Sequence, residues 1–388
     1  MQRLSQSPSD DAFLQDPYPF YARARSLGPL FFWEDYGLTV ISHYAEVNAL
    51  LRDRRLGRQP PTPPSPPADL APFYAVEAHS LLELEPPSHT RLRRLVLHAF
   101  TRRRVGAMGP EIEALCHAHI DAFPDGPFDL ITAYAKPIPA LIIARLLGVP
   151  DDRAPDLLEW SNAMVKMYQA GRNAEDEAAA IQATRDFVAY LDTLIDARRT
   201  APRDDLLSEM IAAEEDGERL SRAEMISTAI LLLNAGHEAT VHTLGNGVRL
   251  LLETGHRPTG DVAGLVEEIL RYDPPLHMFT RHVYEKVEVG GLTLRPGQQV
   301  GLLLGAAGRD SQIYKEAERF QPDRFGAKTS LAFGAGLHFC LGVTLARLEL
   351  EISLRVLFHR CPNLRLAGTP RFADIYHFHG LESLWVET

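Results

Sequence analysis

The chain has 388 residues, 45% of them hydrophobic and 23% charged, with a formal net charge of −11. That length and composition suit a soluble globular protein with a large core. The acidic balance argues against nucleic acid, which calls for a basic face. Met1–Asp11 is polar, and the most apolar stretches, Pro137–Val149 and Ile226–Leu233, are too short or carry Arg145, so no signal peptide or membrane anchor is expected. Cys116, Cys340 and Cys361 are scattered, giving neither a disulfide framework nor zinc-site spacing, and point to a reducing cytoplasm.

In chain order, Asp16–Pro19 reads as a turn, and Phe20, Ala22 and Ala24 continue at helical spacing to Leu27. Leu30–Trp33 and Leu38–Ile41 read as strands around a turn at Asp35–Gly37. Their expected partners lie far away, in a hairpin of Val287–Val289 and Leu292–Leu294 across Gly290-Gly291, followed by Gln299–Leu304. Pairing of the chain ends in this way predicts one closed domain over residues 1–388. Gln59–Pro67, with six prolines, reads either as an interdomain linker or partner ligand, or as a stiff stretch interrupting one domain.

Pro86-Pro87-Ser88 starts a helix on which His89 and Arg93 share one face. A solvated basic helix is the competing reading, supported by Arg91, Arg94 and Arg102–Arg104. Pro137–Leu147 and Ala154–Arg199 are helix-rich, with a break expected at Ala170–Arg172; Trp160, Met164, Met167 and Tyr168 there line a pocket or simply form core.

The long central helix opens with a capping box, Ser221 and Glu224, and a staple of Leu220 and Met225. Its apolar run breaks at Asn234-Ala235-Gly236-His237-Glu238-Ala239-Thr240. A helical glycine costs about 1 kcal/mol relative to alanine, and a carboxylate two residues on is expensive if buried, a local conflict that marks function. Glu268 and Arg271 follow at i, i+3, which alone reads as an ordinary surface pair.

Phe333–Gly342 contains Cys340 among Gly334, Gly336 and Gly342, and Leu341, Leu345, Leu348 and Ile352 then recur at helical spacing. Cys340 therefore sits just ahead of a helix N-terminus, which favours a thiolate. A lone cysteine on an apolar stretch is otherwise most often inert.

Together, Phe333, the glycines, His338 and Cys340 resemble the haem-binding loop of cytochrome P450 enzymes. The resemblance extends from about Asp16 to Val386 and implies a mainly α fold with small β-sheets, one large domain, and haem b (iron protoporphyrin IX) with Cys340 as its axial metal ligand. It assigns His89, Arg93, Arg281 and His338 to the haem propionates, with Phe333 in the same cofactor loop. Glu268, Arg271 and Arg324 become a buried structural network. Leu231, Asn234, Ala235, Leu276, Met278 and Phe279 border the substrate pocket, and Phe378–Leu381 forms a hairpin tip entering it.

Gly236, Glu238, Ala239 and Thr240 fall in the family's oxygen-binding turn, with one departure: Ala239 stands where an alcohol is usual. Thr240, one residue late, is turned away by roughly 100°. The implied activity is monooxygenation of a small hydrophobic organic substrate by O2, with electrons from a separate ferredoxin or flavodoxin. The rivals are a peroxide-driven haem-thiolate enzyme and a non-catalytic haem-binding protein.

Overall fold

The computed structural model describes the chain apart from residues 63–64, 169–171, 216 and 325–329. It comprises two units, one of Met1–Pro61, Ile112–Lys136 and Ala239–Thr388, the other of Thr62–Glu111 and Pro137–Glu238. Helices dominate, as their sequence spacing predicts. Those that position the site are α1 (Tyr18–Ser26), α2 (Ser88–Ala99), α3 (Pro137–Leu147), α4 (Ala154–Val165), α5 (Ala174–Thr200), α6 (Leu206–Ala212), α7 (Arg222–Thr254), α8 (Val262–Tyr272) and α9 (Val343–Arg360).

The first unit is built on a six-stranded sheet of β1 (Arg3–Leu4), β2 (Leu30–Trp33), β3 (Leu38–Ile41), β4 (Leu56–Gly57), β5 (Met278–Val283) and β6 (Gln299–Leu303), in the order β1-β2-β3-β6-β5-β4. The two ends of the chain do pair: β3 runs parallel to β6, Thr39 opposite Val300, and β6 antiparallel to β5. The hairpin of Val287–Val289 and Leu292–Leu294 departs from expectation, because it pairs only with itself. It meets the sheet through side chains: Val287 and Leu294 join the core under β3 and β6, and a Cβ on Gly290 would lie 2.5 Å from Leu30 Cδ1. Strand β5 escaped the sequence reading because Thr280, Arg281 and His282 interrupt its apolar pattern.

A second core packs Phe13, Tyr21, Phe31, Trp33, Met278 and Leu303. Near the C-terminus, Arg371–Phe372 pairs with Leu381–Ser383, leaving 373–380 as the tip between them.

Glu268, Arg271 and Arg324 are sealed in this unit, Glu268 and Arg271 having no exposed surface. Arg271 places all five N–H groups: on both Glu268 oxygens (2.7 and 2.8 Å) and on the carbonyls of Gly308, Ala317 and Arg319 (2.7, 2.9 and 3.1 Å). Arg324 adds its Nε to Glu268 and its terminal nitrogens to the carbonyls of Lys315, Glu316 and Arg319. The pair that spacing alone assigns to the surface is thus a buried knot.

In the second unit, α5 starts at a capping box of Asn173 and Asp176. The break expected at Ala170–Arg172 lies largely outside the described residues, as do Pro63 and Pro64 of the proline-rich stretch. Asp205 caps α6 through Ser208 N (2.8 Å) and pairs with Arg198 (2.5 Å), both side chains 4% exposed. Helix α7 begins as expected, Ser221 N donating to Glu224 and Glu224 N to Ser221 Oγ (2.8 and 3.2 Å). The helix then runs unbroken through Asn234–Thr240, so the break in sequence pattern is not a break in the helix.

Glu349 on α9 is 2% exposed, and its Oε1 has no hydrogen-bond partner among the described residues. Burial pushes its carboxyl well above the usual range, so the folded chain holds a proton that the unfolded chain releases above about pH 4.5. Stability at this position therefore falls as pH rises. We predict that Glu349→Gln changes stability little at pH 4 but gains on the parent by up to about 1.4 kcal/mol per pH unit above 4.5, read from urea melts across pH 4–8. A pH-independent difference would disprove it.

Candidate functional site

In the first unit, the loop carrying Phe333–Gly342 leads from a core-anchored residue, Leu331, into α9. Two turns shape it. Gly334 N donates to Leu331 O (2.8 Å), and a short 3-10 turn over Gly336–His338 closes through Phe339 N to Gly336 O (3.2 Å). Gly334 and Gly336 have φ of 69° and 71°, left-handed values that a side chain resists. A Cβ at Gly336 would stand 2.5 Å from Leu51 O and 2.9 Å from Arg52 Cα. Glycine is needed there for both conformation and space.

Cys340 N donates to Phe333 O (3.0 Å), bringing the ends of the loop together and fixing the cysteine three residues ahead of α9. Its side chain is half-buried, as are His338 and Phe333. Strand β5 lies alongside: Phe279 Cε2 is 3.2 Å from where a Gly334 Cβ would be. Arg281, two residues on and hence on the same face of β5, is 4% exposed and donates to Thr280 O (2.8 Å). Phe279 thus lies against the loop, and the Arg281 guanidinium is 5.8 Å from its ring centroid. Met278 is not with them; alternation turns it to the opposite face of β5, where it packs with Phe13, Tyr21 and Leu303, so it is core rather than pocket. Leu276 is half-buried and bridges to Phe378 at the 373–380 tip.

One contributor went unnoticed in the sequence. Arg347, seven residues after Cys340, lies 5.1 Å from the Phe333 ring centroid and forms an ion pair with Glu267 (2.5 Å).

In the second unit, His89 on α2 has no exposed surface and Arg93, one turn later, is half-buried, while Arg94 is exposed. The helix thus has an inward face with His89 and an outward basic face. Arg91 pairs with Glu224 at the start of α7. Leu231, Asn234, Ala235 and Glu238 recur at i, i+3, i+4 and i+7 along one side of α7. Asn234 is buried, Leu231 and Glu238 half-buried and Ala235 exposed. Gly236 has a packing reason as well, since a Cβ there would meet Ile143 Cδ1 of α3 at 3.1 Å.

Farther along the helix, in the first unit, Ala239 is half-buried and its carbonyl accepts from Thr243 Oγ1 (2.8 Å), while Thr240 is 4% exposed.

The donor set suits haem. A thiol held ahead of a helix N-terminus, on a loop shaped by two left-handed glycines, and a cation on the adjoining strand match an iron ligand and a propionate contact. Among the described residues, no helix is long and apolar enough to cross a membrane.

Comparison with known proteins gives the same direction. The cytochrome P450 family model matches residues 262–364. The chain is 37% identical to cytochrome P450 107B1 of Saccharopolyspora erythraea, over 97% of this chain and 96% of the relative. It is also 37% identical to the vitamin D(3) 25-hydroxylase of Pseudonocardia autotrophica, over 92% of this chain and 89% of the relative. Among solved structures, P450BioI, in complex with acyl carrier protein ligated by hexadec-9Z-enoic acid, superposes with a TM-score of 0.91 at 33% identity, covering 97% of this chain and 99% of that one.

Because backbone atoms oppose any side chain at position 336, we predict that Gly336→Ala loses about 1–3 kcal/mol of stability and purifies with a lowered haem-to-protein absorbance ratio. An unchanged ratio and melting temperature would refute the role given to this glycine.

Proposed function

Since the chain belongs to the cytochrome P450 family, whose members are haem-containing monooxygenases, we propose that it hydroxylates or epoxidises a small hydrophobic organic substrate with one oxygen atom of O2. We further propose that a separate ferredoxin or flavodoxin supplies the electrons, that the whole chain works as one catalytic domain, and that it acts in the cytoplasm. The observation that carries the reading is the placement of Cys340, held by Phe333 O ahead of α9 on a loop with two left-handed glycines.

Cys340 would hold the haem, which would supply oxygen activation and transfer to the substrate. The chain's own residues bind, orient and handle protons. Arg281, His338, His89 and Arg93 would pair with the two propionates, each a charge-assisted contact. Leu231, Asn234, Ala235, Leu276 and Phe279 would border the substrate. Glu238, half-buried on α7, would pass protons inward, with Gly236 of the same turn packed against Ile143. Ala239 offers no hydroxyl, so ordered water, Glu238 or a hydroxyl of the substrate must carry the proton.

The exposed side of α2, with Arg94, and the exposed Arg103 beyond it would offer an acidic redox protein a complementary surface. The relatives' names span vitamin D(3) and a carrier-bound hexadecenoic acid, so the substrate is assigned by class only.

Ala239 favours a second reading, a peroxide-driven enzyme. Turnover with hydrogen peroxide but not with NADH, ferredoxin reductase and ferredoxin would select it, whereas NADH-coupled oxygen uptake supports the monooxygenase and also excludes a passive haem carrier.

Two predictions follow from these roles. The reduced carbon monoxide adduct of the purified protein will show the strongly red-shifted Soret band of thiolate ligation, and Cys340→Ser will lose both the band and turnover; a Ser variant keeping both would overturn the assignment. Ala239→Thr will raise the ratio of product formed to oxygen consumed where proton delivery limits turnover, and an unchanged ratio would remove Ala239 from the proton route.

A further inference from the structure

Away from the cysteine loop, and wholly within the first unit, Asp273, His277 and His379 converge in the interior at 1%, 0% and 5% exposure. One ligand-type atom from each lies within 4.8 Å of the others. They come from three places: Asp273 caps the C-terminus of α8, His277 lies four residues on, and His379 sits on the 373–380 tip. Tyr18 of α1 closes the group, its hydroxyl 2.6 Å from Asp273 Oδ1 and 3.5 Å from His277 Nε2. His379 Nε2 is 3.5 Å from Asp273 Oδ1.

Two of these separations are too long for good hydrogen bonds. They match something else. Four nitrogen and oxygen ligands at about 2.0–2.2 Å from a tetrahedral zinc ion stand roughly 3.3 Å apart.

The surroundings are those of a ligand set. A metal-bound imidazole usually engages its second nitrogen with an oxygen, and His277 Nδ1 is 2.7 Å from Tyr21 Oη, itself 2.9 Å from Tyr376 Oη. Asp273 keeps Oδ1 turned to the cluster while Oδ2 is held by Arg249 (2.8 Å). The His379 ring is stacked on Phe372 at 3.7 Å between centroids and faces His277 at 4.6 Å. Its main chain is tied on both sides, N–H to Pro275 O (2.8 Å) and carbonyl to Asn246 Nδ2 (2.8 Å).

The nearby guanidiniums are themselves paired, Arg249 with Glu253 (2.6 Å) and Arg309 with Glu318 (3.4 Å).

The geometry points to a second, structural metal site in this chain: Asp273, His277 and His379, with Tyr18 as the fourth group, bind one divalent first-row transition metal, zinc by preference. The ion would clamp the 373–380 tip to the turn after α8 and to α1, fixing Leu276 and Phe378. The site is independent of the haem loop and requires no redox change.

The test is elemental analysis of the purified holoprotein, equilibrated with zinc chloride and freed of excess by gel filtration, reading zinc and iron in the same sample. About one zinc per chain is expected beside the haem iron, with a melting temperature raised by zinc and lowered by a strong chelator. His379→Gln and Asp273→Asn should each lose the zinc and the zinc-dependent shift while keeping their iron.

Less than about 0.1 zinc per chain in the parent would overturn the site whatever the variants do, leaving a plain hydrogen-bonded cluster. So would one zinc retained in both folded variants, which would place the ion elsewhere. Zinc present but iron absent would support the site and count instead against the haem reading, so the two cannot be confused.

Discussion

The Arg271 guanidinium is the contact on which the first unit depends. Residues 308–324 run largely as irregular chain, and irregular backbone in an interior leaves carbonyls that no helix or strand satisfies. Arg271 and Arg324 supply the missing donors, and Glu268 holds both guanidiniums in place. A buried ion pair seldom adds net stability over apolar packing, because removing charge from water offsets the attraction. Its value here is specific: ordered donors for carbonyls that otherwise have none. Taking away Glu268 would leave two cations facing each other in the core, the more costly error.

With that segment fixed, the cysteine loop needs few further restraints. It is anchored at Leu331 on one side and α9 on the other, and Cys340 N to Phe333 O closes it. The glycines do different things. Gly336 is excluded from having a side chain by the backbone of Leu51 and Arg52, so its identity is set by neighbours across the fold. Gly342 meets nothing within 4 Å of an added Cβ and has a φ of −81°, so neither its neighbours nor its backbone requires glycine there. Arg347 braces Phe333 from behind while paired with Glu267, tying the loop to α8 as well.

Local signals were legible in the sequence where they act over a few residues. The capping box of Ser221 and Glu224, helix α3 over Pro137–Leu147, and strands β2 and β3 follow from spacing and turn chemistry alone. Long-range pairing was legible in part: of the partners expected for the N-terminal strands, β6 pairs with β3 whereas the hairpin at Gly290-Gly291 stays outside the sheet, because side-chain packing decides which apolar strand fills an edge. Met278 was misplaced for a related reason: until β5 is known to be a strand, the side of it on which a residue falls is undefined. The Asp273 cluster was illegible because residues 18, 273, 277 and 379 meet only in the fold.

Helix α7 shows how one sequence conflict can have two causes. Gly236 was notable as a weak helix former beside a carboxylate, yet the helix continues through it and Ile143 of α3 occupies the space a side chain would take. The glycine therefore needs no opening of the helix to explain it. The acid and the missing alcohol remain. Thr240 is turned into the interior at 4% exposure, and the Thr243 hydroxyl donates to the Ala239 carbonyl, a bond available to it wherever the helix is intact. Neither hydroxyl is a simple substitute for one at position 239. On the proposed chemistry, then, this turn would leave Glu238 as its one side-chain acid and place the remaining steps of proton transfer on water or substrate, which makes the rate of oxygen use in this chain unusually sensitive to what the substrate itself can donate.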